Sequence, residues 1–211
     1  RRIRSSGDLR FDHQRGIQMS ELRYEAPRTV EAAVELLASC GGVAKVLAGG
    51  TDLLIQMRSD LVEPELVVNV KKIDELQAIS DEDGAFRFGA AVSGMELLEH
   101  EAFATAWPGV IDGVKLIGSI QIKGRASVGG NVCNGSPAAD ATPALIAAGA
   151  IASIAGPKGR REVAVEDIVI GPSQTSIADD EIVVSFSLPK RPTNSGDAYL
   201  RFTPRTEMDI A

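Results

Sequence analysis

The sequence is poor in the residues that build metal sites and most hydrolytic sites. Among 211 residues it holds two cysteines, Cys40 and Cys133, and two histidines, His13 and His100. Four such residues make neither a disulfide framework nor a structural metal site, so no metal is expected. No Ser/His/Asp or Cys/His set is recognisable either. We therefore expect no hydrolytic nucleophile and assign no catalytic residue.

Long apolar runs and the common nucleotide motifs are also missing. No stretch approaches the roughly 20 apolar residues of a membrane-spanning helix, and no signal peptide is recognisable. We expect a cytoplasmic protein without membrane insertion. The chain has no Gly-x-Gly-x-x-Gly fingerprint and no Gly-x-x-x-x-Gly-Lys-Ser/Thr loop, so neither a Rossmann dinucleotide site nor a P-loop is supported. Its 44% hydrophobic content is that of a globular protein.

The charge is distributed unevenly along the chain. The net charge is −7, yet residues 1–18 carry five arginines against two aspartates. The chain from Met19 onward is strongly acidic, which makes nucleic acid a poor partner. We interpret residues 1–18 as a non-native leader or a mis-assigned start, with Met19 as the candidate native start. The alternative is a short basic arm that docks on an acidic partner.

Two glycine-rich stretches stand out from this background. Residues 126–143 combine paired glycines, small residues and polar side chains, and residues 47–54 have the same character some eighty positions earlier. Glycine pairs let backbone amides approach an anion, and a helix beginning near Pro137 would add its positive end. One such stretch alone is more often only a turn. Together the two stretches predict a clamp for a diphosphate made of backbone amides.

The hydrophobic pattern predicts a small α/β unit followed by a larger, mainly antiparallel unit. Residues 27–42 form a predicted helix capped by Thr29, and residues 45–47 and 66–70 are predicted strands, so the first glycine stretch follows a strand. The change of character near residues 71–75 predicts subdomains at 19–73 and 74–205. Residues 206–211 are interpreted as the start of a truncated C-terminal domain. Further predicted elements are a hairpin around residues 81–84, helices within 93–100, 103–116 and 142–149, and strands at 151–155, 161–165, 182–188 and 199–203.

Three side chains within the glycine stretches leave alternatives open. Cys133 could be a reactive thiol, but without a nearby histidine we favour a small buried side chain. Asp52 and Asp140 could form an acid and base pair, although aspartate after a glycine turn ordinarily caps a helix. For Asp140 a hydrogen bond to a ligand hydroxyl or amine is favoured over capping alone.

The motifs carry a family resemblance. Residues 48–53 (AGGTDL), 121–123 (QIK), 127–131 (SVGGN) and 134–140 (NGSPAAD) resemble, in order and spacing, the FAD-binding medium subunit of the molybdenum hydroxylases, the family of xanthine dehydrogenase and aerobic carbon monoxide dehydrogenase. The resemblance extends from Met19 to Ala211. It implies an α+β, two-subdomain FAD-binding fold of the vanillyl-alcohol oxidase type.

The resemblance also implies a set of cofactor contacts. One stretch would wrap the FAD pyrophosphate through its amides, with the Thr51 hydroxyl added: Val46, Leu47, Ala48, Gly49, Gly50, Thr51, Asp52 and Leu53. Ser127, Gly130 and Asn131 would close the other side. Asp140 would bond the adenosine portion, and Cys133 would touch the cofactor mainly through its backbone. The remaining implied contacts are Ile117, Val183, Arg201 in place of a lysine, and Ile210 beside the isoalloxazine, where some relatives have tyrosine.

By the same resemblance, the chain is an electron-transfer subunit of a hetero-oligomer. Electrons would come from the [2Fe-2S] clusters of an iron-sulfur subunit, molybdopterin would belong to a large subunit, and the acceptor would be NAD, a quinone or oxygen. A second hypothesis is a nucleotide-binding or assembly module without turnover. A third is a stand-alone flavin reductase, for which no proton donor on the substrate side is found. Aspartate at Gly49 or Gly130 is predicted to abolish FAD retention by placing a carboxylate in phosphate space.

Overall fold

The computed structural model of the protein describes residues 22–203. The predicted leader and the predicted start of a C-terminal domain lie outside the described residues. The elements follow in this order: β1 (Arg23–Glu25), α1 (Val30–Ala38), β2 (Ala44–Leu47), α2 (Leu53–Arg58), β3 (Leu66–Asn69), β4 (Ile79–Glu82), β5 (Ala85–Gly89), α3 (Gly94–Glu99), α4 (Glu101–Ala106), α5 (Pro108–Leu116), α6 (Ile120–Lys123), α7 (Val128–Cys133), α8 (Ala141–Ala147), β6 (Ile151–Gly156), β7 (Gly159–Ala164), β8 (Val169–Gly171), β9 (Gln174–Thr175) and β10 (Ile182–Leu188).

A three-stranded parallel sheet opens the fold, in the order β1-β3-β2. Helix α1 packs on it, and the Thr29 side chain accepts a hydrogen bond from the Ala32 amide at 3.2 Å, which confirms the predicted cap. The helix ends at Ala38, before the predicted Gly41-Gly42 stop, because Cys40 N–H turns back to the Leu37 carbonyl. Strand β2 ends at Leu47, so the first glycine stretch begins at the carboxyl end of a parallel strand, as predicted.

A five-stranded antiparallel sheet, in the order β4-β5-β10-β6-β7, forms the larger part of the fold. Its central strand, β10, is buried along nearly its whole length because both faces are covered. One face, with Phe186, packs against helices α3, α4, α5, α7 and α8. The other face, with Ile182 and Val184, shares a core with α1 and the parallel sheet. The mixed α+β class is therefore confirmed.

The two sheets share packing through helix α1. Its buried residues Val30 and Val34 belong to the same core as Val68 of the parallel sheet and Ala155 of the antiparallel sheet. The change from one sheet to the other falls between β3 and β4, which brackets the predicted boundary at residues 73 and 74. The division into separate subdomains stays a prediction.

The β4–β5 hairpin follows the sequence signal closely. Asp83 and Gly84 both have positive φ, 55° and 87°, which is the backbone that a two-residue hairpin turn requires. Asp81 accepts from the Gly84 amide at 2.8 Å and fixes the turn. The hairpin is confirmed; the sequence pattern starts its first strand at Leu76, but β4 begins at Ile79 because Leu76 belongs to a preceding 3₁₀ turn.

Two elements differ from the prediction. No helix begins near Pro137; helix α7 instead runs through the glycines, and the next helix starts at Ala141. The α7 start is fixed by Ser127, whose hydroxyl accepts from the Gly130 amide at 3.1 Å. The predicted strand at residues 199–203 is irregular backbone with exposed Leu200 and Phe202.

Candidate functional site

A cleft of about 410 Å³ lies between the two glycine-rich stretches. This volume is within the range of small-molecule sites. We name residues 48–53, which run from the end of β2 to the first residue of α2, the first loop. Residues 126–134, which contain helix α7, are the glycine segment. The structure therefore brings together the two stretches that the sequence predicts to form one clamp.

The first loop offers backbone donors that the described part of the protein does not use. Gly50 has φ of +75°, a conformation that glycine adopts without strain. Within residues 22–203, the amides of Gly49, Gly50, Thr51 and Asp52 donate to no protein acceptor. Asp52 stands before the first residue of α2 but makes no cap bond with its side chain. Successive unused amides around a left-handed residue favour an anion over a cation.

The glycine segment is packed tightly on one side and open on the other. A side chain at Gly129 would place its Cβ 2.3 Å from the Ala90 carbonyl oxygen, so α7 packs directly against the backbone that follows β5. Gly130 is exposed, and the only atom near a Cβ there would be Ser127 Oγ at 3.2 Å among the described residues. Glycine at 129 serves close packing, whereas glycine at 130 leaves space in the cleft.

Direct contacts join the first loop to the glycine segment and its flanks. Arg125 Nε donates to the Gly49 carbonyl oxygen at 3.3 Å. A Cβ at Gly49 would lie 2.2 Å from the Arg125 carbonyl oxygen, so the two backbones touch. Gln56 on α2 donates to Asn134 at 3.5 Å. Contacts within the protein therefore hold the two glycine-rich stretches next to each other.

A third wall of the cleft was not predicted from the sequence. It comes from the β8–β9 hairpin and the turn before β10, and the Ser173 amide donates to the Gly135 carbonyl at 2.9 Å. The Gly171-Pro172 pair signals a turn, but nothing in the sequence relates that turn to the glycine segment. The lining residues that sequence reasoning missed include Lys45, Gln56, Asn134, Ser173, Thr175, Ile177, Asp179 and Glu181.

The lining side chains of the cleft carry more negative than positive charge, which limits how an anion can be bound there. Its lining side chains include one cation, Lys45, against the carboxylates of Asp52, Asp179 and Glu181. A diphosphate in this setting needs the backbone amides of the first loop, since side-chain charge alone does not favour it. The donor chemistry of the cleft therefore fits a diphosphate-containing cofactor such as FAD.

Most of the predicted site residues reach this cleft. Within the described chain, Leu47 on β2, Asp140 before α8 and exposed Arg201 are not among the lining residues, and Ile210 lies outside the described residues. The predicted residues that line the cleft are Val46, Ala48, Gly49, Gly50, Thr51, Asp52, Leu53, Ile117, Ser127, Gly130, Asn131, Cys133 and Val183.

Cys133 differs from its favoured local role, and Asp140 lacks the helix cap that was the less favoured alternative for it. Cys133 is exposed at the cleft, not buried as favoured from the sequence. The protein atoms around it still displace water, and this desolvation raises the pKa of the thiol to about 12, so it stays protonated. Asp140 precedes α8 but makes no cap bond; Asn131 Oδ1 accepts from the Ala141 amide at 3.2 Å instead.

The third wall is held by an ion pair whose pH dependence is testable. Arg161 donates to both carboxylate oxygens of Glu181, at 2.8 and 2.7 Å, and the Ala178 amide donates to the same carboxylate. The Arg161 hydrogen bonds lower the pKa of Glu181, against the opposing effect of burial. A lowered folded-state pKa gives stability that is present above the unfolded pKa and lost as pH falls through the folded value.

We expect Glu181→Gln to lower the free energy of unfolding by about 1 kcal/mol at pH 7, because one partly buried charge-assisted pair is lost. The difference from wild type should shrink as the pH falls below about 4.5, the ordinary glutamate range. Urea unfolding at pH 7 and under acid conditions measures this. Glu162→Gln, next to Arg161 on β7 but exposed, is the matched control and should change little. An equal difference at both pH values would exclude the proposed linkage.

Within residues 22–203 no helix has the length and apolarity needed to cross a membrane. The same residues contain no group of histidine, cysteine, aspartate and glutamate side chains suited to hold a metal ion.

Comparison with known proteins gives concordant matches. The model of a family described as FAD binding domain in molybdopterin dehydrogenase matches residues 18–191. A putative xanthine dehydrogenase FAD-binding subunit of Escherichia coli K12 is 36% identical over 191 residues, covering 89% of this chain and 65% of that protein. The carbon monoxide dehydrogenase medium chain of Hydrogenophaga pseudoflava is 31% identical over 183 residues, covering 87% of this chain and 64% of that one.

The structural comparison agrees with the sequence comparison. A solved carbon monoxide dehydrogenase from Hydrogenophaga pseudoflava, in a form lacking the Mo-pyranopterin moiety of the molybdenum cofactor, superimposes with a TM-score of 0.83 at 31% identity. The superposition covers 88% of this chain and 65% of that chain. This chain therefore spans about 65% of the length of the curated relatives it matches.

Proposed function

We propose an electron-transfer function for this chain, which belongs to the family of FAD-binding domains found in molybdopterin dehydrogenases. The match confirms the resemblance inferred from its motifs, and FAD is the cofactor of the family. In the proposed complex, electrons pass from the [2Fe-2S] clusters of an iron-sulfur subunit through this subunit to NAD, a quinone or oxygen. A large subunit would hold molybdopterin, and the complex would be a cytoplasmic hetero-oligomer.

The observation that carries this proposal is the cleft between the first loop and the glycine segment, with unused amides at Gly49 to Asp52. We propose that these amides and the Thr51 hydroxyl hold the FAD pyrophosphate from one side. Ser127, Gly130 and Asn131 would hold it from the other. Ile117 and Val183, both buried and apolar, would pack on the cofactor.

The remaining assignments concern four residues, of which Cys133 lines the cleft. Asp140 would bond the adenosine portion, and Cys133 would contact the cofactor through its backbone. Arg201 and Ile210 are proposed contacts that follow the family pattern. None of them is assigned a proton-transfer role, because the relay needs no acid or base from the protein.

Bound FAD supplies exchange between one-electron and two-electron partners. The protein's own residues position it and exclude water from it. Val183 on β10 and Ile117 after α5 line the cleft and are each less than a tenth exposed, so they present apolar surface to it. The amides of Gly49 to Asp52 precede α2 and would offset phosphate charge without a metal ion.

The test is the visible absorption spectrum of the protein purified at the full length of its gene. We expect flavin absorption bands and co-purification of an iron-sulfur subunit and a molybdopterin-containing subunit. Absence of flavin bands even after soaking with FAD would overturn the proposal. Flavin bands in a protein that assembles with neither subunit would favour a stand-alone flavoprotein, and retention of nucleotide without electron transfer would favour a binding module.

A further inference from the structure

The side chain of Arg125 makes one specific contact at the cleft. Its Nε donates to the carbonyl oxygen of Gly49 at 3.3 Å. We propose that Arg125 is a positioning residue for the cofactor, which fixes the peptide unit between Gly49 and Gly50 so that the Gly50 amide serves as a phosphate donor. The inference rests on the proposed function and concerns one hydrogen bond that the family match does not assign.

The geometry of a peptide unit connects this bond to the cleft. The Gly49 carbonyl and the Gly50 N–H belong to the same planar group, and in a trans peptide they point in opposite directions. No cis peptide occurs among the described residues. A guanidinium that holds the Gly49 oxygen on its own side therefore directs the Gly50 N–H to the other side. Gly50 lines the cleft, and its amide has no protein acceptor among residues 22–203.

This peptide unit needs an external restraint. It joins two glycines, and Gly50 has φ of +75°, so neither flanking residue has a Cβ that opposes rotation of the peptide plane. A rotated peptide would present the Gly49 carbonyl oxygen to the cleft and repel a phosphate. The Arg125 bond opposes that rotation, and a charged donor polarises the peptide so that the Gly50 N–H becomes a stronger donor.

Arg125 is itself held firmly enough to act as a reference point. Its amide donates to the Ile122 carbonyl at 2.9 Å, and the next residue, Ala126, accepts from the Gly94 amide at 2.8 Å. The Arg125 carbonyl oxygen also lies against Gly49, where a Cβ would approach it to 2.2 Å. The side chain and the backbone of Arg125, between α6 and α7, thus both contact Gly49.

The test compares two neutral replacements in the full-length protein. Arg125→Met removes the donor, whereas Arg125→Gln removes the charge but keeps an N–H group that can reach a carbonyl. We expect the FAD dissociation constant, measured by flavin fluorescence after removal and titration of the cofactor, to rise about tenfold to a hundredfold in Arg125→Met. Arg125→Gln should recover most of that loss. Arg28→Gln, an exposed arginine without a partner among the described residues, is the charge control.

A second readout separates positioning from general stability. The ratio of ADP affinity to adenosine affinity should fall in Arg125→Met, because only ADP carries the diphosphate, whereas a variant that is merely less stable loses both affinities together. Equal FAD affinities in Arg125→Met and Arg125→Gln, or an unchanged ADP to adenosine ratio, would overturn the inference. Wild-type protein that retains FAD in the same experiments would leave the proposed function intact, so the two failures are distinguishable.

Discussion

Replacement of Gly130 by aspartate is expected to abolish FAD retention, while asparagine at the same position should preserve most of it. Gly130 is exposed at the cleft, and among residues 22–203 a Cβ there has only Ser127 Oγ close to it, at 3.2 Å, a tight contact that both variants share equally. The two variants differ in charge and hardly in shape. Repulsion between a carboxylate and a nearby phosphate costs on the order of 3 kcal/mol at an effective dielectric constant of about 20, which is more than a hundredfold in affinity.

The measurement for Gly130 is the flavin content of the purified variants, followed by titration with FAD. Gly130→Asp should fail to retain the cofactor and Gly130→Asn should bind it within about tenfold of wild type, since only a neutral amide is added. Raising the salt concentration should narrow the gap between the two variants, because the added repulsion is screened. Full occupancy in Gly130→Asp would show that the glycine segment is not in contact with the phosphates.

The parts of the fold that local patterns specify were predicted well. The Thr29 cap, the Asp83-Gly84 turn and the strand that leads into Gly49 and Gly50 depend on a few adjacent residues, so their signals are complete in the sequence. Strand β10 was predicted with its observed bounds, Ile182–Leu188, because a strand buried on both faces is almost wholly apolar, and only Ser185 and Ser187 interrupt this one.

The parts that depend on distant contacts were predicted less well. Helix α7 runs through Gly129 and Gly130, where local propensity is against a helix, because packing of Gly129 on the Ala90 carbonyl requires the missing side chain. Residues 199–203 have strand-like composition, yet the preceding segment is tied by Asp197, which accepts from the Gly109 amide at 2.7 Å and pairs with Arg191. Neither the packing of Gly129 on Ala90 nor the contacts of Asp197 can be recognised from the neighbouring residues in the sequence.

The candidate site shows the same division. The sequence identifies both glycine-rich stretches because glycine pairs are rare enough to be noticed, and the family resemblance then relates them to one cofactor. The third wall, with Ser173 and Asp179, comes from a hairpin whose only link to the cleft is a backbone bond to Gly135. Any residue type can form a backbone hydrogen bond of this kind, so the amino-acid sequence could not predict this wall.

Replacement of Gly49 by alanine is expected to damage the site as severely as replacement by aspartate. The sequence alone attributes the effect of aspartate to charge in phosphate space, but the structure directs the Cβ of residue 49 elsewhere. It would lie 2.2 Å from the Arg125 carbonyl oxygen and 2.9 Å from the Ala126 Cα, both of them backbone atoms that cannot rotate away. A single methyl group therefore forces the first loop away from the glycine segment and breaks the Arg125 bond to the Gly49 carbonyl.

Gly49→Ala should lose about 2 kcal/mol of unfolding free energy, as overpacking typically costs, and at least a hundredfold in FAD affinity, because a displacement of about 1 Å takes several amides out of hydrogen-bonding range together. Gly41→Ala is the matched control: no atom of the described residues lies within 4 Å of a Cβ there, and its stability and FAD affinity should equal those of wild type. Urea unfolding and FAD titration measure both quantities. If Gly49→Ala binds FAD normally and only Gly49→Asp fails, charge is the cause, and the close backbone contact between the two stretches is not what shapes the site.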